Sequence, residues 1–160
     1  MTHTDAVSAG ALTPARVDPR GPRFGAALTT VVLALALILV GSQLGLVLLA
    51  WQTLVFALGA IVGLQAQPYG WLFRTVVRPR LDPPTELEDS RPPRFAQAVG
   101  LVFAVVALVA SLAGADVVAS VAIALALLAS FLNAAFAFCL GCEMYLWLVR
   151  LRHRAPLPSD

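Results

Sequence analysis

Four uninterrupted apolar runs, residues 24–41, 44–66, 95–113 and 117–139, dominate the chain, and the stretches between them are short, polar or rich in arginine. Each run is close to the ~20 residues that a helix needs to cross a ~30 Å hydrocarbon core. The runs are continuous rather than alternating, and lipid offers no partner to an unpaired peptide group, so the pattern predicts four transmembrane helices rather than a barrel. Only Ser42 and Gln43 separate the first run, which ends at Gly41, from the second, and only Gly114, Ala115 and Asp116 separate the third from the fourth. Such tight turns predict two helical hairpins. Asp116 is expected to cap the fourth helix, and Pro68 to end or kink the second, leaving residues 69–78 as a short amphipathic segment on the membrane surface.

Composition supports this pattern. The chain is 59% hydrophobic and 12% charged, about half the charge of an ordinary soluble domain. The expected fold is an all-α integral membrane protein with its transmembrane domain over residues 18–153, hairpin one at 18–78 and hairpin two at 89–153. Residues 1–17 are polar and lack the basic start and immediate apolar core of a signal peptide, so they are expected to form a disordered tail, as are residues 154–160. The connector between the hairpins is rich in proline and acid, with Asp82, Glu86, Glu88 and Asp89.

Charge adds a direction. All eleven basic residues are arginines. Arg16, Arg20 and Arg23 precede the first run, Arg74, Arg78, Arg80, Arg91 and Arg94 lie between the second and third, and Arg150, Arg152 and Arg154 follow the fourth. With four spans these segments share one side, which the positive-inside rule makes the cytoplasm. Both termini are therefore expected inside, in a bacterial cytoplasmic (inner) membrane.

The chain also repeats. Asp18-Pro19-Arg20-Gly21-Pro22-Arg23-Phe24 is echoed by Asp89-Ser90-Arg91-Pro92-Pro93-Arg94-Phe95, and Tyr69-Gly70-Trp71-Leu72-Phe73-Arg74 by Tyr145-Leu146-Trp147-Leu148-Val149-Arg150. Each hairpin holds an even number of spans, so the copies are expected to be related by an axis along the membrane normal. The echoed aromatics and arginines read first as interface anchors. A second reading gathers Arg23, Arg74, Arg94 and Arg150 into a groove for an anionic substrate or headgroup.

The candidate chemistry lies in Cys139 and Cys142, the two cysteines of the chain. They form a C-x-x-C pair where the first hairpin has Gly63 and Ala66, so the thiols depart from the repeat. Small-residue packing is the plain reading; redox or sulfur chemistry is the other. On a continuous helix the two Cβ atoms would be ~5–6 Å apart, too far for a disulfide without distortion, which Gly141 would ease. At the C-terminal end of the fourth run the helix dipole and Glu143 would oppose thiolate formation. That predicts an acceptor that exchanges with a stronger soluble partner.

A zinc site needs about four ligands, and one chain offers these two cysteines with Glu143 and His153 as distant candidates, so no metal is expected unless a homodimer supplies both pairs. His3 and His153 lie in polar flanks. No nucleotide-binding or nucleophile-elbow motif appears, and neither a cofactor nor a nucleic-acid partner is expected. Gln43, Gln52, Gln65, Gln97 and Asn133 are expected to bond between helices.

Arg94-Phe95-Ala96-Gln97, Pro22-Arg23-Phe24 and the run from Asn133 to Tyr145, with Phe138-Cys139-Leu140-Gly141-Cys142 at its centre, resemble the bacterial membrane-protein family called domain of unknown function 4395. The resemblance implies a small four-helix membrane protein encoded near thioredoxin-like proteins and rhodanese-type sulfurtransferases, with Cys139 and Cys142 as its matching residues. The resulting expectation is a membrane thiol-redox or sulfane-sulfur relay working with such cytosolic partners. The alternatives are a scaffold that recruits them, or a transporter of a small sulfur compound.

Overall fold

The computed structural model describes residues 16–84 and 86–154. The expected tails fall outside this range except for Arg16, Val17 and Arg154. The described chain folds into α1 (Arg20–Ile38), α2 (Gln43–Ala57, widening into a π-type turn over Leu58–Val62), α3 (Pro68–Leu72), α4 (Arg91–Leu112), α5 (Asp116–Phe136) and α6 (Leu140–Arg154). Four of these, α1, α2 with its π turn, α4 and α5, are long and apolar enough to cross a membrane. A short antiparallel pair, β1 (Arg16–Val17) and β2 (Glu88–Asp89), ties the two hairpins together.

Helices α4 and α5 bury mostly small side chains and expose large ones. Helix α4 buries Ala104, Ala107 and Ala110 while Val102, Val105, Val106 and Val109 face outward. Helix α5 does the same with Ala119, Ala122 and Ala126 inside and Val117, Val118, Val121 and Leu128 outside. In water this arrangement would sacrifice the burial of the larger apolar surfaces. In hydrocarbon, tails solvate valine and leucine well, and close backbone approach through alanine faces supplies the packing. The centre is Leu33, Leu49 and Ile123, wedged among Ala107, Ala122 and Ala126.

Contacts follow the repeat. Helix α1 packs on α5 and α2, and its counterpart α4 packs on α2 and α5; α3 lies against α1 as α6 lies against α4. Both copies also start alike. The Arg20 N–H donates to Asp18 Oδ1 at 3.0 Å, and the Arg91 N–H to Asp89 Oδ1 at 2.8 Å. The repeated D-x-R motif is therefore a device for starting a helix, in which a carboxylate takes one of the unpaired first-turn donors. In the β-pair Val17 faces Glu88, the position 71 residues on. A pair centred on equivalent residues is what a two-fold relation between the hairpins requires.

Two local expectations change. Helix α2 and its π turn end at Gly63, whose φ of +126° suits glycine, and Pro68 then starts α3 rather than ending α2. Proline fits there because a first-turn N–H has no helical acceptor in any case. Asp116 is the first residue of α5 and makes no side-chain capping bond. Its carboxylate still sits at the positive end of the helix. The side-chain cap on that face of the bundle belongs to Ser42, whose hydroxyl accepts from the Gly45 N–H at 3.1 Å.

Of the polar residues expected to bond between helices, Gln52 and Gln97 do so through their side chains, while among the described residues Gln43, Gln65 and Asn133 make no side-chain bond. Gln52 is fully buried. It donates from Nε2 to Thr29 Oγ1 at 3.3 Å and accepts from the Tyr69 hydroxyl at 3.1 Å, which in turn accepts from Trp51 Nε1 at 3.0 Å. This chain of bonds joins α1, α2 and α3. Gln67 donates to Gln97 Oε1 at 2.9 Å, linking the segment before α3 to α4. Replacement Gln52→Leu leaves the Tyr69 hydroxyl without its acceptor, and a loss of about 1 kcal/mol is expected on the scale of buried polar bonds in membrane bundles. Thermal unfolding in detergent, followed through Trp51 fluorescence, measures it; an unchanged midpoint would mean that the network contributes no net stability.

Candidate functional site: a cysteine pair that opens a helix

The fourth apolar run looks continuous to Cys139, yet α5 stops at Phe136. Ala137 has a φ of 56°, the only positive value outside glycine among the described residues. Its N–H still bonds Asn133 O at 3.1 Å, while the Phe138 N–H turns back to Leu132 O at 3.3 Å. A left-handed alanine costs roughly 1–2 kcal/mol, so this break is held against a local penalty. Residues 137–139 form the corner, and α6 begins at Leu140.

Cys139 consequently stands immediately before α6, and Cys142 lies in its first turn. The Cys142 N–H donates to Cys139 Sγ at 3.3 Å, the bond that a Ser or Asp side chain makes when it caps a helix. The Glu143 N–H closes the first helical bond to Cys139 O at 3.0 Å. The two sulfurs are joined as a disulfide, with Cα atoms 5.2 Å apart, inside the ordinary range for such bonds.

This arrangement overturns the electrostatic expectation. The pair sits at the positive end of α6, where the dipole and a backbone N–H favour a thiolate on Cys139 once the disulfide is reduced. Glu143 remains nearby as an opposing charge. It is exposed, however, and solvent screens it.

The role expected of Gly141 also changes. The disulfide needs no distorted helix, because Cys139 lies outside the regular part of α6. A Cβ on Gly141 would fall 2.6 Å from both Cα and Cβ of Ala96. The glycine lets α6 pack directly on α4, and the Phe95 and Tyr145 rings reinforce the contact with centroids 5.8 Å apart. Both cysteines are half-buried; Phe138 and Leu140 beside them are exposed. Asn133 contributes only its backbone carbonyl near this corner. Among the described residues, no three His, Cys, Asp or Glu side chains gather to form a metal set.

The four arginines assigned to an anion groove have distinct surroundings. Arg94 donates from Nε to Ala60 O at 2.8 Å and from Nη2 to Ile61 O at 2.5 Å, closing the carbonyl end of the second span. Arg74 donates from Nη2 to Gln65 O at 2.7 Å and lines a cavity beside α3. Arg23 and Arg150 are exposed, and neither they nor Arg94 line that cavity. Its other guanidinium groups come from Arg16 and Arg78, which sequence reasoning left aside.

The family described as domain of unknown function (DUF4395) matches residues 17–150. No curated protein and no solved structure matches the chain. The match takes in both hairpins, the helix-starting aspartates and the cysteine corner. The chain belongs to the DUF4395 family.

Proposed function

We propose that the protein is a membrane-held thiol exchanger that passes two electrons to and from a soluble thioredoxin-like or rhodanese-type partner through Cys139 and Cys142. The observation that carries this reading is the position of the pair at the start of α6, with a backbone N–H on Cys139 Sγ. Once the disulfide is reduced, that N–H would favour a thiolate on Cys139, and the thiolate is the attacking species in disulfide exchange.

In the oxidising direction the Cys139 thiolate attacks one sulfur of a partner disulfide. A Cys139–partner bond forms, the partner S–S bond breaks, and one partner thiolate leaves. Cys142 then loses its proton and attacks Cys139 Sγ, which forms the intrachain disulfide and releases the second partner thiolate. The partner is reduced by two electrons and the chain is oxidised by two. The reverse sequence reduces the disulfide. Attack on a partner persulfide moves its outer sulfur to Cys139 by the same first step, leaving the partner as a thiolate.

The half-burial of both sulfurs, with Phe138 and Leu140 exposed beside them, suits contact with a protein partner. The distribution of arginines supports an inner-membrane location with this end of the bundle in the cytoplasm, where reducing partners reside.

Differential alkylation in cells tests the reading. The pair is expected to shift between disulfide and dithiol when the thioredoxin pool is oxidised or reduced. A pair that stays in one state under all conditions, together with unchanged partner binding in a Cys139→Ser/Cys142→Ser chain, would leave only a scaffold. Orientation is checked with single cysteines introduced at Arg80 and Gln43 in that serine background: an impermeant reagent added outside should label only the Gln43 site.

A further inference from the structure

The repeat places a second feature opposite the cysteine corner. In hairpin two, Gly141 closes directly on Ala96. The equivalent positions in hairpin one are Gln65 and Gly25, 76 and 71 residues earlier in the sequence. Gln65 lines a cavity of about 170 Å³, whose α1 side is made by Gly21 and Pro22 rather than Gly25. This is several times the roughly 30 Å³ that one water occupies in the liquid, so a tetrahedral oxyanion fits.

Its lining combines charge with an apolar floor. Arg16, Arg74 and Arg78 face it from β1 and the segment from α3 to Arg80, while Leu64, Phe73 and Leu87 supply apolar surface. The one acid in the wall, Asp18, is already committed to Arg20, with Nε to Oδ1 at 3.0 Å and Nη2 to Oδ2 at 2.9 Å. That pairing holds the Asp18 carboxyl below the usual carboxylate range. Among the described residues Arg16 and Arg78 donate no side-chain hydrogen bond, and Arg74 spends only one Nη2 bond on Gln65 O. Three guanidinium groups thus surround a space without a matching negative charge. Arginine's planar set of donors suits phosphate-type oxygens.

We propose that this cavity is a binding site for one phosphate-type oxyanion, held by Arg16, Arg74 and Arg78 at the arginine-bearing end of the bundle. The chemistry is shared by the phosphate of an anionic lipid headgroup and by free phosphate. The site is independent of the cysteines, so the thiol reading can fail without affecting it.

The full chain in maltoside detergent is titrated with inorganic phosphate against chloride at constant ionic strength, read by the unfolding midpoint. In parallel, native mass spectrometry measures retention of phosphatidylglycerol relative to a diacylglycerol with the same acyl chains. Saturable binding in either arm is expected, and the arm that binds identifies the source. Arg16→Gln/Arg78→Gln should weaken it tenfold or more, Arg78→Gln alone, which leaves β1 untouched, at least threefold, and Arg152→Gln on exposed α6 should not change it. No saturable binding of either probe, or equal binding by the double variant and the unaltered chain, would overturn the proposal.

Discussion

A Cys142→Ser chain mixed with an oxidised thioredoxin-like protein should accumulate a mixed disulfide through Cys139, whereas a Cys139→Ser chain should accumulate little. The expected difference in trapped complex is tenfold or more, read on non-reducing gels after acid quenching. The asymmetry comes from the start of α6: the Cys142 N–H donates to Cys139 Sγ, and among the described residues no equivalent donor reaches the sulfur of Cys142, in the first turn of the helix. On the proposed function, Cys139 is expected to attack and Cys142 to resolve. Serine in place of the resolving residue leaves the backbone donor intact, so the attacking thiolate keeps its stabilisation while the mixed disulfide loses its escape route. Equal trapping by both single variants would refute the capped-sulfur account.

Gly141→Val is the second change of large effect. Even the first carbon of a side chain would lie 2.6 Å from two atoms of Ala96, one of them backbone, so α6 must move away from α4. Overpacking of this kind costs about 1–3 kcal/mol, and here the strain falls on the helix whose first turn carries the thiol site. Expected results are a lower unfolding midpoint and loss of the reactivity difference between Cys139 and Cys142 in single-serine backgrounds. Ala96→Gly removes one of the two clashing atoms and should restore part of both. A non-additive double-mutant cycle would confirm direct coupling; additive effects would place the damage elsewhere.

How far the fold was legible depends on what each signal encodes. The spans were legible because hydrocarbon imposes a length and forbids unpaired backbone, and both demands act on every residue of a run. The hairpins and their repeat were legible because D-x-R recurs where each odd span starts, and the structure gives Asp18 and Asp89 the same bond to the following arginine's N–H. Pro68 signalled a boundary correctly but on the wrong side of the helix, since proline suits a first turn as well as it breaks a middle one.

The break at Ala137 carried no such sign. Residues 117–139 are apolar apart from Ser120, Ser130 and Asn133, alanine is a strong helix former, and no glycine or proline falls between Phe131 and Leu140. What ends α5 is tertiary: α6 must turn to bring Gly141 onto Ala96 and Tyr145 onto Phe95, and Ala137 takes a left-handed backbone to allow it. The surroundings of each arginine were hidden for a related reason. A count of positive charge says which end they occupy, but not that Arg94 is spent on the Ala60 and Ile61 carbonyls while Arg16 and Arg78 face a cavity.

From the sequence alone came the lipid-solvated class, four spans in two repeated hairpins, the gathering of every arginine at one end of the bundle, and the cysteine pair as the candidate for chemistry. These follow from composition and periodicity, which act locally along the chain. The tertiary structure decided on which side of a helix terminus the cysteines stand, because that depends on how α6 docks against α4. Since a helix carries opposite partial charges at its two ends, a shift of a few residues in that boundary moves Cys139 from the negative end of one helix to the positive end of the next.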